Sequence, residues 1–152
     1  MHIFEQIGPL EEYLNSCRED GRSIALVPTM GGLHEGHLKL IDKAKECSDM
    51  VVVSVFVNPT QFAENEDFEA YPKTLSEDKK LLEAIKVAVM FVPLDNQIYP
   101  DGSSQDYDVG EMGKILCGIS RPTHFNGVAQ VVARLFDRSE ERRVGKECRS
   151  RW

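Results

Sequence analysis

The chain has 152 residues, 41% of them hydrophobic and 28% charged, with a formal net charge of −7. That length fits one domain with a substantial core, and the composition excludes a disordered protein. The acidic balance disfavours a general nucleic-acid binder, and no apolar run approaches the roughly 20 residues that a membrane helix needs. The N-terminus, MHIFEQIGPLEEYL, lacks the basic start and apolar centre of a secretory signal, which points to the cytoplasm. Cys17, Cys47, Cys117 and Cys148 lie far apart and form no C-x-x-C pair, so reduced, buried thiols are expected rather than a disulfide framework.

In chain order, LEEYLNSCRED (10–20) reads as a surface helix ended by Gly21. SIALVP (23–28) is a short apolar strand stopped by Pro28. GHLKLIDKAKECS (36–48) puts Leu38, Ile41 and Lys45 on a helical period, with Leu40 and Ala44 close by. MVVVSVFVNP (50–59) is β-branched and continuous, as a strand covered on both faces would be. The polar stretch TQFAENEDFEAYPKT (60–74) reads as a loop. SEDKKLLEAIK (76–86) reads as a helix capped by Ser76, with Glu77 and Asp78 suiting the dipole of its first turn. VAVMFVP (87–93) is a third strand. Residues 94–114 are loop-like, with DYDVG (106–110) as a short strand, and VAQVVARLF (128–136) has helical spacing. From 138 to 152, RSEERRVGKECRSRW carries six Arg or Lys and three Glu without a helical or strand period. It resembles vector-derived sequence and is set apart from the fold.

Strands alternating with amphipathic helices give an α/β fold with a parallel sheet and right-handed crossovers. Ligands in such sheets bind beyond the carboxyl ends of the strands. PTMGGLHEGH follows the first strand, NPTQF the second and PLDNQIYP the third, so three distant loops converge on one crevice.

The first loop carries the most chemistry. Gly31 and Gly32 allow a sharp turn, and His34 to His37 spans a helix N-terminus, where free N–H groups and the positive dipole end favour phosphate. Two histidines three residues apart meet on one face of the first turn and add donors that take up charge near neutral pH. Other readings of the same residues fit less well. The glycines do not match G-x-G-x-x-G, no P-loop is present, and HEGH is one residue short of a zinc-binding H-E-x-x-H. A zinc site of His34, His37 and a distant Cys or His124 remains as an alternative, as does a plain exposed helix start.

VPTMGGLHEGHLKLI, SVFVNPTQF, YPKTLSEDKKLL and RPTHFNGVAQVVARLF together resemble four ordered signatures of the pantoate–β-alanine ligase family, H-x-G-H nucleotidyltransferases. The likeness covers about residues 1–137. It implies a Rossmann-like, doubly wound parallel sheet, incomplete at the C-terminus, in a partial N-terminal domain of residues 1–137. Residues 138–152 would be a basic tail outside the family pattern, vector-derived or disordered.

The resemblance also implies ATP-dependent condensation of pantoate with β-alanine through a pantoyl adenylate. Met30, Gly31, Gly32, Leu33, His34, Glu35, Gly36 and His37 would contact ATP, with His37 and His34 catalytic. Gln61 would bind pantoate and help place β-alanine, and Asp78 would match a position associated with Mg²⁺. Arg121 and His124 would brace the crevice or reach the phosphates. A homodimer is implied for the full-length protein, with no nucleic-acid or membrane partner. Family members run to about twice this length, and their G-E-K-D-type segment is absent. Thr123 also stands where they commonly have glycine. This polypeptide is therefore expected to be impaired. The alternatives are another H-x-G-H nucleotidyltransferase and a non-catalytic nucleotide-binding remnant.

Overall fold

The structure is a computed structural model that describes residues 1–62, 74–100, 102, 107–115 and 117–138. Most of the polar loop after Gln61, the Tyr71–Pro72–Lys73 start of the third signature, Asp106 and the basic tail beyond Arg138 lie outside the described residues.

The elements run β1 (His2–Phe4), α1 (Ile7–Glu19), β2 (Ile24–Thr29), α2 (Glu35–Cys47), β3 (Met50–Val55), a 3-10 turn (Pro59–Gln61), α3 (Leu75–Ala84) and β4 (Val89–Phe91). A single turn, α4 (Asp95–Ile98), a second 3-10 turn (Gly110–Lys114), the short α5 (Cys117–Ser120) and α6 (His124–Arg138) complete the chain. The four strands form one parallel sheet in the order β1-β4-β3-β2. All six residues of β3 are buried, as its unbroken apolar sequence requires of a strand with neighbours on both sides and helices on both faces.

The pleat of β3 divides the core in two. Met50 and Val52 face the helices α1 and α6, packing with Leu10, Leu14, Val131 and Leu135. Val51, Val53 and Val55 face the other way, toward Ile41 of α2 and Leu82 of α3. Helices on both faces of a parallel sheet make the fold doubly wound. Each fully buried aliphatic side chain contributes about 1.5–3 kcal/mol, so the two half-cores together hold the strand tips in place.

Several boundaries differ from the sequence reading. Helix α1 begins at Ile7, because Gly8 and Pro9 fall in its first turn, where a missing N–H costs nothing. Strand β2 runs through Pro28 to Thr29. It is one of the two edge strands, so the proline leaves no ladder donor unmade inside the sheet. Strand β1 was not foreseen: three residues with an exposed edge carry too little pattern to read. The N-cap position of helix α3 is Thr74 rather than Ser76, and its side chain makes no capping hydrogen bond. Tyr107–Val109 forms no strand and leads into the second 3-10 turn. Cys17 is buried as expected, whereas Cys47 is exposed at the end of α2.

Helix α2, with His34 at its N-cap and His37 in its first turn, buries one residue, Ile41, with no exposure at all. Ile41→Ala is expected to cost about 2–5 kcal/mol by urea denaturation. A loss below about 1 kcal/mol would mean that other contacts hold this helix to the sheet.

Candidate active site

Three strand ends build the site. After β2 the chain turns through Gly31 (φ +84°) and Gly32 (φ +62°), a left-handed conformation that a side chain would oppose. The turn is tied down from both sides. Thr29 Oγ1 donates to the Ser54 carbonyl at 2.8 Å and accepts from the Gly31 N–H at 3.3 Å. On the far side stands Asp78, 3% exposed on α3. Its Oδ2 accepts from the Gly32 N–H at 3.0 Å and its Oδ1 from the Leu33 N–H at 2.8 Å. The Thr74 hydroxyl donates to Asp78 Oδ2 at 3.0 Å and accepts from the Gly32 N–H at 3.1 Å.

The two histidines cap α2 reciprocally. His34, the N-cap residue, accepts the Gly36 N–H on Nδ1 at 3.1 Å, and His37 Nδ1 accepts the His34 N–H at 3.3 Å. The rings sit 4.0 Å apart between centroids. Gly36 is required by that arrangement, since a Cβ there would lie 2.9 Å from His34 Cε1. With both Nδ1 atoms accepting, each neutral ring carries its proton on Nε2 and offers it outward. Partial burial, and next the charge of His34, hold the His37 pKa below its usual 6.5, against an opposing pull from Asp78. His37 is therefore a neutral donor near pH 7.

These bonds alter the picture of an open anion cradle. The amides of Gly31, Gly32, Leu33, His34 and Gly36 all have acceptors within the protein. The two imidazole Nε2–H groups add donors at this helix start beside a backbone that is largely engaged.

The second strand end presents Gln61. Asn58 is fully buried and organises the turn: its Oδ1 accepts from Tyr99 Oη at 2.8 Å, Thr60 Oγ1 at 3.0 Å and the Thr60 N–H at 3.3 Å. Its Nδ2 donates to the Gly127 carbonyl on α6 at 3.0 Å. Burial raises the Tyr99 pKa, the bonds to Thr60 and Asn58 opposing, and the phenol stays a donor. His124 Nδ1 lies 3.1 Å from the Gln61 carbonyl oxygen. Helix α6 comes so close that a Cβ on Gly127 would sit 2.3 Å from the Thr60 carbonyl oxygen. The backbone of Gln61 is thus fixed, and the residue lines a cavity.

That cavity, about 310 Å³, has His37 and Gln61 in its wall beside Pro28, Met30, Phe56, Val131 and Leu135. A second, of about 380 Å³, lies across Met30 and Gly31, with Asp78 and Thr74 in its wall.

A family model described as pantoate-beta-alanine ligase matches residues 2–144. The chain belongs to the pantoate–β-alanine ligase family. It is 51% identical over 138 residues to the pantothenate synthetase of Ruthia magnifica, covering 90% of this chain and 49% of the relative. To that of Acetivibrio thermocellus it is 46% identical over 144 residues, covering 95% of this chain and 51% of the relative. Among solved structures it resembles the pantoate-beta-alanine ligase from Francisella tularensis, complexed with beta-gamma ATP and beta-alanine, with a TM-score of 0.84 and 42% identity. That likeness covers 91% of this chain and 53% of the other. The chain spans about half the length of the curated relatives it matches.

Within this ligase-family fold, His34, His37, Met30 and Gln61 gather around one crevice, and Leu33 is half-buried beside them. Glu35 points elsewhere and pairs with Lys39 at 3.1 Å on the exposed face of α2. Asp78, expected as a Mg²⁺ ligand, is buried, and each of its oxygens accepts a backbone N–H group. Among the described residues no group of three or more His, Cys, Asp and Glu could hold a metal ion. His124 braces the Gln61 turn. Sequence reasoning missed Pro28, Phe56, Val131 and Leu135 as cavity residues, because an apolar lining residue has the same signature as a core residue. It also missed Gly127, whose close approach to Thr60 shows only in three dimensions.

Two outcomes follow from this geometry. Gly127→Ala is expected to destabilise by about 1–3 kcal/mol, in spite of alanine's better helix propensity, read as a lowered urea midpoint. A more stable variant would show that α6 shifts freely. For His37, the neutral ring is the form the fold prefers, so its contribution is complete above pH 6.5 and is lost as pH falls through the depressed folded value. An NMR titration is expected to place the His37 midpoint below 6.5, and a midpoint at or above 6.5 contradicts the arrangement.

Proposed function

We propose that this chain carries the nucleotide- and pantoate-binding part of a pantoate–β-alanine ligase, which joins (R)-pantoate to β-alanine at the expense of ATP to give pantothenate. The observation that carries the reading is the meeting of His37 and Gln61 in one largely apolar cavity at the strand ends. The names of the relatives and the nucleotide and β-alanine in the Francisella tularensis complex support it.

The cavity suits a small branched hydroxy acid. Pantoate's geminal dimethyl carbon would lie against Phe56, Val131 and Leu135, and the Gln61 amide would donate to its carboxylate or hydroxyl. In the first step a carboxylate oxygen of pantoate attacks the α-phosphorus of ATP, and the bond to the bridging oxygen of pyrophosphate breaks. The Nε2–H groups of His37 and His34 would donate to phosphate oxygens as charge builds on them. In the second step the amine of β-alanine attacks the acyl carbon, AMP leaves, and the amine gives up a proton. Neither step needs a covalent bond to the protein; positioning two anions together is the main task. A homodimer, implied by the family resemblance, and a cytoplasmic site belong to the same proposal.

The test is pantoate-dependent pyrophosphate release from ATP, with calorimetric titration of ATP and then pantoate. Wild-type chain is expected to bind both, and His37→Ala to slow pyrophosphate release by about 10²–10³-fold. A wild-type chain that binds neither ligand overturns the proposal.

A further inference from the structure

We propose that Asp78 and Thr74 are positioning residues for the nucleotide step, holding the Gly31–Leu33 turn in the one conformation that presents His34 and His37 to phosphate. The inference deepens the ATP-dependent reading above and rests on it.

A buried carboxylate is costly unless its lone pairs are used, and Asp78 uses both oxygens on successive amides of a segment 45 and 46 residues away in sequence. Its place is specific. The Cβ that Gly31 lacks would sit 3.0 Å from Asp78 Oδ2, so the carboxylate closes over the bare face of the glycine. Thr74 completes the tie. As the N-cap residue of α3 its hydroxyl is free to cap its own helix, yet it makes no such bond and instead bridges Asp78 to the Gly32 amide. The turn is therefore held by a two-residue fork on the first turn of α3. His34 follows Leu33 directly, and His34 in turn is the acceptor that fixes Gly36 and the donor that fixes His37. A displacement at Leu33 passes to both rings without any intervening flexible link. Release of the fork would also leave the Gly32 and Leu33 amides without their acceptors beside a glycine pair free to adopt other turns.

The experiment uses the full chain as Asp78→Asn, Thr74→Val and Thr74→Ser. Thr74 is half-buried, so its variants keep the test alive should Asp78→Asn fail to fold. The first readout needs no activity: amide hydrogen exchange of Gly32 and Leu33 without nucleotide. Asp78→Asn is expected to speed both amides by about tenfold or more, and Thr74→Val mainly Gly32, one hydrogen bond being about a fivefold to tenfold effect. The second is pyrophosphate release. Asp78→Asn is expected to lower kcat by about 10²-fold, the effect of a misplacement near 1 Å, with KM for pantoate within about twofold of wild type. Thr74→Val is expected to lower kcat by about fivefold, and Thr74→Ser to restore it. The Mg²⁺ concentration for half-maximal rate is expected to be unchanged in all three.

Unaltered exchange at Gly32 and Leu33 in both Asp78→Asn and Thr74→Val overturns the inference. So does a raised Mg²⁺ requirement confined to Asp78→Asn, which would make the carboxylate a metal ligand. A wild-type chain without ATP binding would overturn the functional reading instead, and the exchange result would still decide whether the fork holds the turn.

Discussion

A glycine turn at the edge of a parallel sheet has no side chains with which to hold its own shape, and the site on this chain depends on how that deficiency is met. Asp78 meets it with a carboxylate that grips two consecutive amides, and Thr29 adds a tie from the strand behind. Two left-handed glycines in sequence would otherwise be among the loosest stretches of a chain. Here their backbone is bonded on both sides before any ligand arrives. The conformational entropy that a mobile loop would lose on binding has been lost during folding, which is the physical content of preorganisation.

The same economy of donors explains the histidines. Backbone amides that serve Asp78, Thr29 and the two imidazoles are not available to an anion. In the proposed reading, recognition falls to the imidazole Nε2–H groups, whose protonation state is adjustable where that of an amide is not. The Nδ1 of His37 accepts a backbone N–H, and partial burial together with the neighbouring His34 favours its neutral ring. An anion beside Nε2 pulls in the opposite direction, favouring the charged ring. The start of α2 is the place where these two tendencies are balanced, and the chain's overall acidity matters little to a site governed by so local a competition.

Much of this was legible in the sequence. The continuous β-branched run gave away β3, and its position fixed the neighbouring strand tips where GGLHEGH and NPTQF converge. The glycine pair and the H-x-G-H spacing were enough to place two imidazoles on one helix start, and they lie 4.0 Å apart between centroids. What could not be read was occupancy. An aspartate in the first turn of a helix looks alike whether it faces solvent, a metal or a backbone, and Asp78 faces a backbone 45 residues away. At the start of α2 the N–H groups of His34 and Gly36, expected to be free, were taken by side chains whose reach depends on rotamers. Short β1 and the true cap of α3 escaped notice for a related reason: both are decided by what lies across the sheet or across the loop, not by their own residues.

The two halves of the site are braced by different parts of the fold. The histidine turn is held from α3, through Thr74 and Asp78, on the face of the sheet that Leu82 and Ile41 fill. The Gln61 turn is held from α6, through Asn58, Gly127 and His124, on the face that Val131 and Leu135 fill. The two braces share no hydrogen-bonding residue, yet the groups they locate line the same cavity. A doubly wound sheet makes this arrangement natural, because its strand tips are the one place where the two faces meet. The proposed reaction, which must bring two anions into contact, would gain from such a layout: each ligand would be gripped by its own half of the core, at a separation set by the sheet that joins the two halves.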